Sequence, residues 1–277
     1  MTLNSRFSNM KAFTVVIAAI LMGSLSIFVR NIPLHPIQLT FFRFFIGFIF
    51  LSVLVAITRE KIVIREPKIV AGLVIANTIT VASYISAIQL IEVATAALLL
   101  YMAPIYVVPA AYFLGKRIEK YTWIALPLGI FGLYLMLSPY GSLSIGLIFG
   151  LISGISYAAI FILMKKARAF MSSLQITFVY LGFSSLLLSP SLVIFPFKEV
   201  SILWLLGLGL IPTTIAFTLF NYGIKHCRVE QAPLFALVEP VAAGLFGFFI
   251  FGEMLTIKQL VGAALILTSV VLAWKEN

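Results

Sequence analysis

Two ionisable side chains, Arg43 and Glu239, each lie well inside a long apolar run. An ionised group in the middle of a bilayer costs at least about 2.5–3.5 kcal/mol, so each should face a bundle interior or a wet cavity. The Arg43 guanidinium could hold a carboxylate or phosphate, bidentately where geometry allows. It could equally serve a structural ion pair, or bond backbone carbonyls at a helix end. Glu239, followed directly by Pro240, could carry a proton, recognise an amine, pair with Arg43, or cap backbone donors beside the proline.

Around these two, polar side chains recur at helical spacing. Asn77, Thr80 and Tyr84 form one stripe; Thr214, Thr218 and Asn221 form another. Thr40, Arg43 and Gly47 are matched farther along by Thr177, Tyr180 and Ser184; Ser153 and Tyr157 share a run, and Tyr101 stands just before Pro104. Such stripes would supply an apolar cavity with the few directional contacts a small-molecule site needs. A lone Ser or Thr more often makes an ordinary interhelical hydrogen bond. The candidate binding set is therefore Glu239, Arg43, Tyr101, Asn77, Tyr84, Asn221, Tyr157, Tyr180 and Thr214. Pro104 and Pro240 are the expected helix breaks, since proline removes a backbone donor and frees the carbonyl one turn earlier. Glu92, Glu253, His35 and His226 fall near run ends; solvated loop positions suit them better than gating or pH sensing.

The runs that carry these residues must lie in lipid. The chain has 277 residues, of which 62% are hydrophobic and only 10% charged, against about 25% charged in soluble domains. Ten runs are long enough to span a bilayer: 12–30, 36–58, 68–90, 93–114, 121–138, 143–165, 173–196, 201–225, 230–251 and 256–274. The first reads as a retained helix, since no convincing small-residue cleavage site follows it. The expected fold is all-α and integral to the membrane, a single membrane domain over 1–277.

Fifteen Lys and Arg fall on the face that holds the N-terminus and three (Arg30, Lys198, Lys258) on the other. That alternation predicts both termini in the cytoplasm, in a plasma (inner) membrane. The net charge of +10 comes from these short clusters rather than one basic face, which argues against a nucleic-acid partner. The acidic residues are nine Glu and no Asp; Cys227 is the only cysteine, and His35 and His226 are far apart. No phosphate-loop motif, metal-ligand spacing or Ser/His/acid set is present. ATP as an energy source, a cofactor and a metal are accordingly not expected, and an enzyme acting on a lipid-linked substrate is disfavoured. A channel would want a continuous polar lining, and these stripes are interrupted.

The chain also resembles itself. Gln38–Phe41 (QLTF) matches Gln175–Phe178 (QITF), Ala103-Pro104-Ile105 matches Glu239-Pro240-Val241, and Arg30 matches Lys165, all at offsets of about 136 residues. This implies a five-helix unit over 12–138 repeated over 143–274. Five is odd, so the second copy enters from the opposite side, giving inverted repeats. Exchanging the conformations of such halves exchanges inward-open and outward-open states.

Leu237-Val238-Glu239-Pro240-Val241, Phe251-Gly252-Glu253 and Gln259–Ala263, with Arg43-Phe44 after Pro36, resemble the drug/metabolite transporter superfamily in its ten-helix EamA-type branch. The resemblance covers the whole chain. It implies two inverted five-helix repeats around a central cavity and export of small metabolites, often amino acids or related compounds. With the inverted repeat, the paired prolines and the two charges, the expected function is a secondary transporter of a small amphipathic metabolite, with that substrate and the lipid bilayer as partners; the short loops require no oligomer. The first unit departs from the second: Ala103 stands in place of Glu239, and Lys116 follows Gly115 where Glu253 follows Gly252.

A reporter that fluoresces only when folded in the cytoplasm should glow when fused after Asn277 and stay dark when inserted after Lys198. Equal signal at both sites would overturn the orientation.

Overall fold

The computed structural model describes residues 11–91, 93–137 and 144–275. Arg6 of the basic face, and Glu92, lie outside the described residues. In hydrocarbon each backbone N–H and C=O must be bonded within its own segment, so long apolar runs become helices. All described elements are helical, and ten spans are long and apolar enough to cross a membrane. They are α1 Thr14–Asn31, α2 Pro36–Thr58, α3 Pro67–Ile88, α4 Thr95–Phe113, α5 Lys120–Leu137, α6 Ile145–Ala167, α7 Ser173–Ile194, α8 Ile202–Ile224, α9 Ala232–Phe251 and α10 Ile257–Trp274. Their bounds fall within a few residues of the ten apolar runs. Side chains such as Val193, Leu203 and Phe249 stay exposed on the outside, where lipid covers them.

The packing has a pattern. α3 lies along α6 and α1 along the second half of α8; α5 pairs with α10 and α2 with α7; α4 also touches α6, as α9 touches α1. Renumbering each helix by five (α1 as α6, α8 as α3, and so on) maps this set of neighbours onto itself. Two glycines in left-handed backbone occupy matching places: Gly115 (φ 76°) follows α4 and Gly252 (φ 68°) caps α9.

Small residues set how closely the helices approach. A Cβ on Gly154 would strike the backbone carbonyl of Leu99, and Cβ atoms on Gly146 and Gly150 would strike Leu90 and Leu99. The Gly146–Gly154 ridge of α6 thus brings α4 and the end of α3 into backbone contact. Gly132 and Gly262 do the same between α5 and α10, each facing the other's carbonyl.

Four interruptions matter for the interior. α4 breaks at Met102, with Pro104 in the first turn of the following segment; α9 breaks at Leu237, with Pro240 likewise in the first turn after it. α1 breaks at Ser24. α8 contains a π-helical turn over Leu210–Ile215. The two paired prolines sit just beyond their breaks, where a missing N–H is cheapest.

Gly154→Val should lower stability by about 1–3 kcal/mol, read as an earlier melt in detergent. Gly72→Ala, whose added methyl meets only the Leu163 side chain, at 3.4 and 3.8 Å, should melt no earlier than wild type. A Gly154→Val protein melting with wild type would overturn the close approach of α4 to α6.

Candidate functional site

A cavity of about 200 Å³ lies at the centre of the bundle, walled by α1, α2, α3, α4, α6, α7, α8 and α9. Eight of the nine candidate residues line it: Arg43, Asn77, Tyr84, Tyr101, Tyr157, Tyr180, Asn221 and Glu239. Two larger recesses of about 570 Å³ are walled almost wholly by apolar side chains, one between α2 and α7 and one between α4 and α5. They hold no charged group and suit lipid chains.

Thr214 is the exception. Its hydroxyl is buried and shared between the carbonyls of Gly209 (2.8 Å) and Gly47 (3.2 Å). Thr213 likewise donates to Leu208 O at 2.8 Å. The reason is local. Pro212 has no N–H, so Leu208 O loses its α-helical donor, and the π turn moves the ladder from i+4 to i+5. The two threonine hydroxyls supply donors five residues on. Thr214 is therefore a helix-mending residue and not part of the lining.

The same turn anchors Arg43. Nε donates to Thr213 Oγ1 (3.0 Å) and Nη2 to Pro212 O (3.0 Å). The guanidinium also lies over the Phe217 ring, 5.0 Å from its centroid. The backbone-carbonyl role foreseen for Arg43 is thus real, but Nη1 has no partner among the described residues. Glu239 follows the α9 break and stands in the first turn of Val238–Phe251, where the helix's free N–H groups favour negative charge. Its carboxylate approaches the Tyr101 hydroxyl, with Arg43, Tyr84 and Tyr157 farther off. No ion pair joins Glu239 to Arg43; the ion pairs among the described residues are Arg30–Glu253 and Arg228–Glu119. The expected alternative in which the two buried charges satisfy each other is not what the structure shows.

Asn77 donates to Ser184 Oγ (3.1 Å), tying α3 to α7. Asn221 donates to Thr177 Oγ1 (2.8 Å), tying α8 to α7. Thr177 itself donates to Ser173 O (2.7 Å), so its hydroxyl must accept from the amide, which fixes Asn221 Oδ1 as the free acceptor. That atom is buried without a partner. Tyr84, Tyr157 and Tyr180 hydroxyls make no hydrogen bond to another described residue and are not sealed off, which leaves them to the cavity. The aromatic walls interlock: Tyr101 meets Tyr157 edge-on (6.5 Å), Tyr157 meets Phe161 (4.9 Å), and Tyr180 lies between Phe44 (5.9 Å) and Phe217 (5.6 Å).

Sequence reasoning missed Met22 and Leu25 of α1, and Phe44, Phe217 and Phe220. Phe217 was findable: it falls three residues after Thr214 and four before Asn221, on the same helix stripe. Pro212 and Thr213 as partners of Arg43 carried no signal, because a π turn leaves no periodicity of its own. His35 caps α2, accepting from Ile37 N–H (3.4 Å), and stacks on Phe195 (3.6 Å). Glu253 pairs with Arg30, which also covers the Phe251 ring. Both are structural contacts at helix ends, outside the cavity.

The profile of the EamA-like transporter family matches this chain twice, over residues 9–138 and 144–275. An uncharacterized transporter of Archaeoglobus fulgidus is 50% identical over 262 residues, covering 95% of each chain. The Bacillus subtilis transporter YoaV is 24% identical over 86% of each chain. The pseudopaline exporter CntI of Pseudomonas aeruginosa is 27% identical over 161 residues, 55% of each chain. A crystal structure 19% identical in sequence superposes with a TM-score of 0.81 over 97% of this chain and 96% of that one, which shows a shared fold. Ten apolar spans, a polar pocket at their centre and these matches lead to one conclusion: the chain is a multi-pass membrane transporter that belongs to the EamA-like family of the drug/metabolite transporter superfamily.

Proposed function

We propose that the protein is a secondary active transporter that exports a small amphipathic metabolite from the cytoplasm through this central cavity, by alternating access. The observation that carries the reading is the meeting of Arg43 and Glu239 in one cavity without an ion pair between them. Each buried charge is costly unless compensated. Here each keeps unused bonding capacity toward the cavity, as a site for a dipolar ligand requires. Nη1 of Arg43 suits a carboxylate or phosphate, and the Glu239 carboxylate suits an ammonium group or a carried proton. Tyr84, Tyr157 and Tyr180 add directional contacts between them. A volume of about 200 Å³ falls below the roughly 300 Å³ at which drug-sized sites begin, and so fits a metabolite the size of an amino acid.

Alternating access is supported by the two family matches of similar length, by the neighbour pattern that maps onto itself, and by the paired breaks at Met102 and Leu237. With five spans in each unit, the units 12–138 and 143–274 are inverted relative to one another. Pro104 and Pro240 keep the segments after the breaks from fusing into continuous helices, so α4 and α9 are the elements able to bend. Glu239 moves with α9, and no acidic residue stands at Ala103 in α4. One half thus carries the acidic group and the other, through Arg43, the basic one. The placement of both termini in the cytoplasm follows from the basic loops, and export as the direction draws support from the relative that is an exporter.

A thermal-shift screen of purified protein against amino acids, amines and nucleotide-linked metabolites should find a saturable stabilisation. The same compound should be carried into inside-out vesicles with saturable kinetics. Glu239→Gln should abolish both the shift and the flux while melting like wild type without ligand. A variant that binds normally, or that melts early on its own, would return Glu239 to a structural role.

Arg43→Lys keeps the charge but loses the planar fork, and Thr213→Val removes the acceptor that orients it. Losing one hydrogen bond to a charged group costs about 1.5–3 kcal/mol, so each should raise the apparent KM roughly ten- to hundredfold. Unchanged KM in both would mean that Arg43 does not touch the substrate.

A further inference from the structure

A second cavity, of about 620 Å³, sits at the ends of α4, α6 and α8 and the start of α9, on the face with most of the basic residues. It shares no lining residue with the central cavity. Its charged lining is Lys116, Arg117, Glu119, Lys165, Lys166, Arg228 and Glu230; Ala111, Leu114, Ile162 and Val229 supply apolar wall. We propose that this cavity binds the phosphate of an anionic phospholipid headgroup, with the acyl chains running down the apolar wall between α4 and α6.

The charges decide the sign of the ligand. Lys165 is fully engaged, donating to the carbonyls of Ile224 (2.8 Å), Lys225 (2.9 Å) and Cys227 at the end of α8. Arg228 is paired with Glu119 at 3.1 Å. Glu230 is buried, with 3% exposure, and burial pushes its carboxyl above the usual range, against the charged form. Lys116, Arg117 and Lys166 are exposed and have no acidic partner among the described residues. These three cations thus converge on the cavity mouth without an ion-pair partner among the described residues, in a lining that carries five cationic side chains against two carboxyls.

Their positions are fixed by backbone. Gly115, in left-handed conformation (φ 76°), ends α4, and the N–H of Lys116 returns to Ala111 O at 3.0 Å. That turn holds Lys116 and Arg117 beside the end of α6, where Lys166 projects. The location matches the ligand. These residues lie just past the ends of the apolar spans, at the depth where lipid phosphates sit, and basic pockets between helices at that level suit anionic headgroups. A soluble phosphate shares the charge but would leave the apolar wall uncovered.

The test uses the full-length protein in neutral detergent, titrated with dioleoyl phosphatidylglycerol, dioleoyl phosphatidylcholine or inorganic phosphate, with melting temperature as the readout. Phosphatidylglycerol should stabilise saturably and phosphatidylcholine should not. Each cation near an anionic lipid contributes about fivefold in affinity, so Lys116→Gln/Arg117→Gln/Lys166→Gln together should weaken the apparent affinity roughly a hundredfold, with the lipid-free melt unchanged. Should the triple variant fold poorly, Arg117→Gln alone should weaken it about fivefold, while Lys198→Gln on the opposite face should change nothing. Equal stabilisation by inorganic phosphate, lost in the triple variant, would support the phosphate site and identify a soluble source. Phosphatidylglycerol binding that survives in the triple variant, or stabilisation by phosphatidylcholine as large as by phosphatidylglycerol, would overturn the proposal.

Discussion

The interior of this protein follows from one constraint: inside a bilayer there is no water to satisfy a backbone group whose helical partner has been removed. Each departure from a regular helix therefore needs a repair, and the repairs build the central cavity. In α8, Pro212 withholds one N–H and the π turn displaces the backbone ladder. Thr213 and Thr214 return donors to Leu208 and Gly209, and Arg43 takes Pro212 O. The arginine is thereby held across from Glu239 with one nitrogen left over. A cation that would be costly in lipid is kept by one carbonyl and one hydroxyl of the π turn, Pro212 O and Thr213 Oγ1.

The same logic holds at the basic face. The last carbonyls of α8 have no helical donors, and Lys165 reaches across from α6 to take three of them. Arg168 donates to Asn221 O (2.7 Å) and to Met171 O. Asn221 is thus gripped by its backbone from the basic face and by its side chain from Thr177, while its Oδ1 stays buried without a partner. Glu60 with Ser172, and Gln175 with Lys61 O (2.7 Å), bind the start of α7 to the loop after α2. On the opposite face, Arg30 pairs with Glu253 and Gln38 donates to Phe195 O (2.8 Å).

Packing between helices rests on absence of side chains rather than on attraction between them. Lipid tails are as apolar as leucine, so burying leucine against leucine gains little. What brings α4 to α6 and α5 to α10 is backbone contact across Gly146, Gly150, Gly154, Gly132 and Gly262. The glycines at those contacts do not line the cavity, while α4 and α6 still send Tyr101 and Tyr157 into its wall.

The sequence by itself determined the solvent, the number of spans and most of the site. Hydropathy alone set the ten spans, because a helix must be about 20 apolar residues long to cross. The depth of Arg43 and Glu239 marked them as interior, and helical spacing placed Asn77, Tyr84, Tyr157, Tyr180 and Asn221 on inward stripes that the fold brings to one cavity. The tertiary structure alone decided how those residues are used. Periodicity tells which way a side chain points but not what waits there: Thr214 points inward yet spends its hydroxyl on α8 and Gly47, and Arg43 and Glu239 share a cavity without pairing. The orphaned Asn221 Oδ1 and the aromatic choice of Phe44, Phe217 and Phe220 among 25 phenylalanines depend on contacts between residues of different helices, at least 44 positions apart in the chain. No local pattern encodes these, because they arise only when separate helices pack.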